Sequence, residues 1–189
     1  MLIDLHVHTT RGASDSSLTP AELVKEAKRI GLDGVCVTEH SSVWQESAAR
    51  TLAEESGLVI LRGMEVNTDL GHLVAFGLES YIGGIHRAGE LKRVVEAMGG
   101  FIVAVHPFRW FFSPMPLPVN GSYHRATTLE EALKMPLFEI ANELEVLNGA
   151  CLPLENDFAF QVAQRLGKRG TGGSDAHSTH GLGSCLTVF

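Results

Sequence analysis

Residues 2–8 place the strongest constraint on this chain. Leu2-Ile3-Asp4-Leu5-His6-Val7-His8 alternates strictly, which in a β-strand turns Ile3, Leu5 and Val7 to one face and Asp4, His6 and His8 to the other. One face of such a strand can pack while the other binds. Thr19-Pro20-Ala21-Glu22 then combines a capping box with proline at the first helical position. Leu23, Val24, Ala27 and Ile30 continue at helical spacing up to Gly31, so a helix follows the first strand. The valine-rich run 34–40, ending in Thr38-Glu39-His40, reads as a second strand.

The alternation of types continues along the chain. The pattern predicts a helix around 44–56, strands over 58–66 and 72–78, a helix around 87–98 and a strand over 101–106. It then predicts a helix near 129–134, a strand over 143–148, a helix around 157–166, and short strands near 170–174 and 184–188. Strands separated by helices imply parallel β/α units, and this many units implies a barrel rather than an open sheet. Between them, residues 107–127 hold four of the seven prolines together with Trp110, Phe111 and Phe112. An irregular stretch of that length inside a domain is more often functional than idle.

At 189 residues, with 44% hydrophobic and 20% charged residues, the chain has the balance of one globular domain over 1–189. Its apolar runs fall far short of the roughly 20 residues that span a bilayer. The start at Met1 lacks a basic segment and apolar signal core, so a cytoplasmic location is expected. A formal charge of -7 and a pI near 5.7, without any Lys/Arg cluster, argue against an extended nucleic-acid surface or an anionic membrane as partner. Cys36, Cys151 and Cys185 are odd in number and widely spaced, which points away from disulfides and thiolate metal sites.

Nine histidines are the compositional anomaly. Residues able to hold a metal recur at or just after predicted strand ends: His6 and His8, His40, Glu65, His106, then Asp175 and His177. In a barrel of parallel strands these ends meet at one rim. Imidazole and carboxylate without thiolate suit Zn, Mn or Fe, and seven or more ligands exceed the needs of one ion. Two or three divalent metal ions are therefore expected.

The segments His6-Val7-His8-Thr9, Thr38-Glu39-His40, Gly63-Met64-Glu65, His106-Pro107-Phe108-Arg109 and Gly173-Ser174-Asp175-Ala176-His177 resemble, in order and spacing, the motifs of the PHP (polymerase and histidinol phosphatase) family of metal-dependent phosphoesterases. That resemblance covers essentially the whole chain. It implies a distorted (β/α)7-type TIM-like barrel with its metal site at the C-terminal ends of the strands. By the same resemblance His6, His8, Glu65 and Asp175 would hold one ion, Asp15, His40 and His177 a second, and Glu65, His72 and His106 a third, with Glu65 bridging. Glu65, Asp175 and His177 would then be the catalytic centre. Asp15 lies further past His8 than in many members, so residues 11–14 read as a small insertion. In other branches a ligand comes from the strand represented here by Glu145 to Asn148, which makes Glu145 and Asn148 reserve candidates to His72.

Such a cluster implies hydrolysis of a phosphate ester, because cations lower the pKa of water and polarise a phosphoryl oxygen. The partner expected is a small phosphorylated substrate, a metabolite or a nucleotide. Arg11 and Arg109, each just beyond a ligand motif, are placed to bind its non-attacked oxygens. His124 and Arg125 in the long loop could close over the substrate or protonate the leaving group, or lie in solvent. Two other readings stay open: an amidohydrolase-like enzyme acting on amides or lactones, and a non-catalytic, metal-binding regulatory module.

Overall fold

The computed structural model describes residues 1–40, 42–112 and 128–189. Its elements are β1 (Leu2–Val7), α1 (Pro20–Arg29), β2 (Gly34–Glu39), α2 (Glu46–Ser56), β3 (Val59–Thr68), β4 (Gly71–Phe76), α3 (Ala88–Ala97) and β5 (Phe101–Ala104), followed by α4 (Leu129–Ala132), α5 (Leu137–Ile140), β6 (Glu143–Asn148), α6 (Pro153–Leu166), β7 (Thr171–Gly173) and β8 (Thr187–Val188). The strands form a single sheet in the order β7-β6-β5-β4-β3-β2-β1-β8. A parallel bridge between Val7 and Ala176, and the bonds Asp175 N to His6 O (2.7 Å) and His8 N to Ala176 O (3.0 Å), draw the far end of the sheet back to β1. The result is a distorted, nearly closed barrel.

Local chemistry explains where the elements begin. Thr19 Oγ1 accepts from Glu22 N at 3.2 Å while Glu22 Oε2 accepts from Thr19 N at 3.0 Å, so the capping box starts α1 where the sequence places it. Ile3 and Val7 on β1 are buried with Leu23 and Ala27 of α1, whereas Asp4, His6 and His8 are equally buried on the opposite, inner face. A second cluster, built on Leu73, Ala75, Ile102 and Leu144, packs under α3, α5 and α6.

The sheet departs from the expected succession of parallel units. β4 runs antiparallel to both β3 and β5, and β8 runs antiparallel to β1. Only residues 69 and 70 separate the Thr68–Gly71 pair that ends the β3–β4 ladder. A connection that short closes a hairpin and cannot carry a parallel crossover. Boundaries shift as well: α2 starts at Glu46, leaving Trp44 outside it, and α6 starts at Pro153, capped through Glu155, four residues before the expected position 157. The short helix α5 was not expected. Of the long stretch 107–127, residues 113–127 lie outside the described residues.

Glycine is required where the barrel closes. A Cβ on Gly173 would stand 2.4 Å from His6 Cβ and 2.8 Å from Glu145 Oε1. We therefore expect Gly173→Ala to cost about 1–3 kcal/mol, the usual cost of overpacking, as a lowered urea midpoint. An unchanged midpoint would contradict this account of the closure.

Candidate metal centre

Glu65 lies on the inner face of β3, 2% exposed, and five imidazoles surround its carboxylate. Oε1 is 2.7 Å from His72 Nδ1 and 2.9 Å from His106 Nε2. Oε2 is 3.1 Å from His40 Nδ1, 3.3 Å from His8 Nε2 and 3.5 Å from His6 Nε2. Each ring arrives by its own route. His6 and His8 come from the inner face of β1, His40 follows the end of β2, and His106 follows β5. His72 sits at the start of β4, and because that strand is reversed its beginning lies at the rim where the parallel strands end.

Asp175 supplies another buried carboxylate to the cluster. Its Oδ1 lies 3.2 Å from His8 Nε2 and 3.6 Å from His6 Nε2, while Oδ2 is bonded to Arg109 Nη2. Asp15 Oδ2, on a largely exposed side chain, reaches His177 Nε2 at 3.4 Å and His40 Nε2 at 3.6 Å. Three sets of ligand atoms, each within 4.8 Å of one another, emerge: His8 with His40 and His177, His6 with His8 and Asp175, and His6 with Glu65 and His106. All nine residues expected from the sequence to bind metal thus come to one place. The grouping differs in detail, since His8 also stands with His40 and His177, and His6 with Glu65 and His106.

Backbone conformation marks the same site. His106 (φ 32) and Asp175 (φ 55) are in the left-handed region although neither is glycine. Such positions persist where surrounding structure over-determines them, as at functional sites.

The ring orientations are fixed from outside. His6 Nδ1 donates to Glu145 Oε1 at 3.0 Å, which turns Nε2 inward. His177 Nδ1 donates to the Asp175 carbonyl at 2.9 Å and likewise frees its Nε2. Glu145 also accepts from His106 N at 2.8 Å and Asn148 Nδ2 at 2.9 Å, so both its oxygens are committed. Asn148 Oδ1 accepts from Arg109 Nη2 and from Ala150 N. The two reserve candidates are thus committed to hydrogen bonds with neighbouring residues, while His72 stands beside Glu65. Sequence reading also overlooked Asp4, a fully buried carboxylate that accepts from His6 N, Ser174 N and Gly183 N. It missed Glu39 too, which accepts from Thr9 N, Thr9 Oγ1 and Trp44 Nε1 and fixes the turn after His8. The signal for Asp4 was its place on the histidine face of β1.

Of the cationic candidates, Arg109 reaches the cluster through Asp175. Arg11 does not: its guanidinium lies 4.6 Å from the centroid of the Trp44 ring and lines an open cleft of about 360 Å³ with Pro20, Ser47 and Thr51. His124 and Arg125 lie outside the described residues.

The donor set fits divalent cations. His6 Nε2 and both ring nitrogens of His8 are buried without a hydrogen-bond partner among the described residues, although carboxylate oxygens stand 3.2 to 3.6 Å from the two Nε2 atoms. Orphaned buried nitrogens are costly, and a cation shared between imidazole and carboxylate satisfies both. Charge points the same way. Burial alone would depress His6, yet Asp175, Glu145 and Glu65 hold it well above the ordinary histidine range. Burial likewise opposes ionisation of Glu65 and Asp175, and the facing imidazoles, with Arg109 at Asp175, hold both carboxyls far below their usual range. The carboxylates thus require positive charge in the centre of the cluster.

Fold and cluster together define a barrel of the metal-binding class. The chain belongs to the PHP domain family, which it matches over residues 4–129, and residues 153–189 match a PHP-associated family. It is 26% identical over 117 residues to an uncharacterised protein of Methanocaldococcus jannaschii, covering 57% of this chain and 68% of the other. It is 33% identical over 85 residues to a phosphoribosyl 1,2-cyclic phosphate 1,2-diphosphodiesterase of Eggerthella lenta, covering 42% of this chain and 32% of that enzyme. Similar solved structures include a candidate metal-dependent phosphoesterase of Bifidobacterium adolescentis, with a TM-score of 0.72, 19% identity and coverage of 98% of this chain and 92% of that one. An amidohydrolase of Chromobacterium violaceum has a TM-score of 0.74 at 17% identity, covering 99% and 92%. These two structures share the fold.

Cation binding must compete with protons on His6 and His8, both of which hold a proton above the ordinary histidine pKa. Affinity should therefore rise with pH through neutrality and fall as the rings protonate. Calorimetric titration of Mn²⁺ in two buffers of different ionisation enthalpy should detect net proton release near pH 7. Proton uptake, or affinity independent of pH, would contradict the electrostatics described here.

Proposed function

We propose that the chain is a metal-dependent phosphoesterase that hydrolyses a phosphomonoester or phosphodiester of a small metabolite or nucleotide. The observation that carries this reading is the Glu65 carboxylate, ringed by five imidazoles and facing, across His6 and His8, the buried carboxylate of Asp175. Nitrogen and oxygen donors without thiolate favour Mn, Zn or Fe, and the three overlapping donor groups favour two or three ions. Such cations, when bound, acidify water and neutralise the charge of a phosphoryl group.

The residues of the chain divide the remaining tasks. Glu65 presents one oxygen to His72 and His106 and the other to His6, His8 and His40, the arrangement of a bridging ligand. Asp175 is held by Arg109, and His177 presents Nε2 toward Asp15. Arg109, whose guanidinium already meets Asp175, is the residue we assign to bind a substrate oxygen. Family membership supports the phosphoester class, as does likeness to an enzyme named as a diphosphodiesterase. The acidic balance favours a small substrate over a nucleic-acid backbone or a membrane surface. No described helix is long and apolar enough to cross a membrane. Three unpaired cysteines suit the reducing cytoplasm. Every ligand position is filled, which favours an enzyme over a non-catalytic module.

The test is release of phosphate or alcohol from phosphomonoesters, phosphodiesters and nucleotides, with and without Mn²⁺. Metal-dependent hydrolysis is expected, lost in both His8→Ala and Asp175→Ala while their far-UV circular dichroism matches the parent. Full activity in both variants would remove the site assignment. Cleavage of amides or lactones without phosphoester hydrolysis would replace the proposed chemistry.

A further inference from the structure

Two pairs brace the cluster from behind. Glu145 orients the His6 ring and accepts from the backbone of His106, while Arg109 holds Asp175. Asn148, 1% exposed, joins them: its Nδ2 donates to Glu145 Oε2 at 2.9 Å, and its Oδ1 accepts from Arg109 Nη2 at 2.8 Å. The amide has only one workable orientation, because Arg109 and Ala150 N can only donate and so must face its oxygen. Its backbone is pinned from α6, with Asn148 N donating to Asn156 Oδ1 and Asn156 Nδ2 donating to Asn148 O.

We infer that Asn148 is a positioning residue of the metal centre, acting through Glu145 on His6 and through Arg109 on Asp175, a role that rests on the reading of the cluster as a cation site. Those two ligands face each other across 3.6 Å, His6 Nε2 to Asp175 Oδ1. One planar amide therefore sets the separation of a nitrogen and an oxygen that would both hold a cation. Removing it frees both braces at once.

The experiment compares the full chain with Asn148→Ala, Asn148→Asp, Arg109→Ala and the double variant Asn148→Ala/Arg109→Ala. Affinity for Mn²⁺ alone is measured by competition with a chelating dye. Asn148→Ala should weaken binding by about 10- to 100-fold, the usual effect of removing a group that orients ligands. The double variant should lose less than the sum of the two single losses, because Asn148 acts on Asp175 through Arg109. Asn148→Asp keeps the acceptor for Arg109 and Ala150 N but cannot donate to Glu145, and it serves where the alanine variant fails to fold. A metal-free readout accompanies it: the Nδ1 proton of His6, shielded by Glu145, should exchange slowly in the parent and rapidly in both Asn148 variants, seen by proton–nitrogen NMR. Affinity within twofold of the parent, additive losses in the double variant, or an unchanged Nδ1 proton would each overturn the inference. A parent that binds no Mn²⁺ yet loses its slow proton on substitution would refute the cation site and keep the bracing role.

Discussion

The imidazole cluster at the barrel rim is arranged around two carboxylates held out of water. Glu65 and Asp175 are each under a tenth exposed, and isolated charges in such surroundings are expensive unless opposite charge stands against them. Six imidazoles, those of His6, His8, His40, His72, His106 and His177, supply the partners, together with Arg109. Among the described residues, His6 Nε2 and His8 Nε2 are buried without a hydrogen-bond partner, facing carboxylate oxygens 3.2 to 3.6 Å away. An apolar core of equal volume would be the more stable solution.

The barrel serves that cluster by bringing sequence-distant strands into contact at β1. Asp4 accepts from Ser174 N and Gly183 N, tying the chain after β7 and the approach to β8 to the first strand. The same tie places Asp175 N on His6 O, so one hydrogen bond both helps close the barrel and sets a carboxylate beside two histidines. Gly173 permits the approach. Stability and site geometry are coupled here, because the residues that seal the sheet are neighbours of the residues that form the centre.

Much of this was legible in the sequence, for a physical reason. Alternation over residues 2–8 fixes which side chains share a face, and strand ends in a barrel converge on one rim, so His6, His8, His40, Glu65, His106, Asp175 and His177 could be named as candidates before their distances were known, while Asp15 and His72 came from the resemblance to the PHP family. Strand direction was less accessible. Periodicity has no polarity, and the reversal of β4 shows only in the two residues that separate it from β3. His72 joined the site through that reversal, at a strand start rather than a strand end. Supporting residues were harder still. Glu145, Asn148, Asp4 and Glu39 act through hydrogen bonds between segments up to 179 residues apart, and no local pattern announces such pairings. Arg11 is a different case: it follows His8 closely in sequence, yet its side chain stacks on Trp44 and makes no hydrogen bond or ion pair with the imidazole cluster among the described residues.

The central claim is that the buried imidazoles and carboxylates at the rim enclose divalent cations. Anomalous diffraction from crystals grown with Mn²⁺ tests it most directly, because it locates the ions as well as counting them. The account predicts two or three anomalous peaks, each surrounded by ligand atoms of His6, His8, Asp15, His40, Glu65, His72, His106, Asp175 and His177. A map without peaks among these residues, or with peaks only elsewhere on the surface, would contradict it.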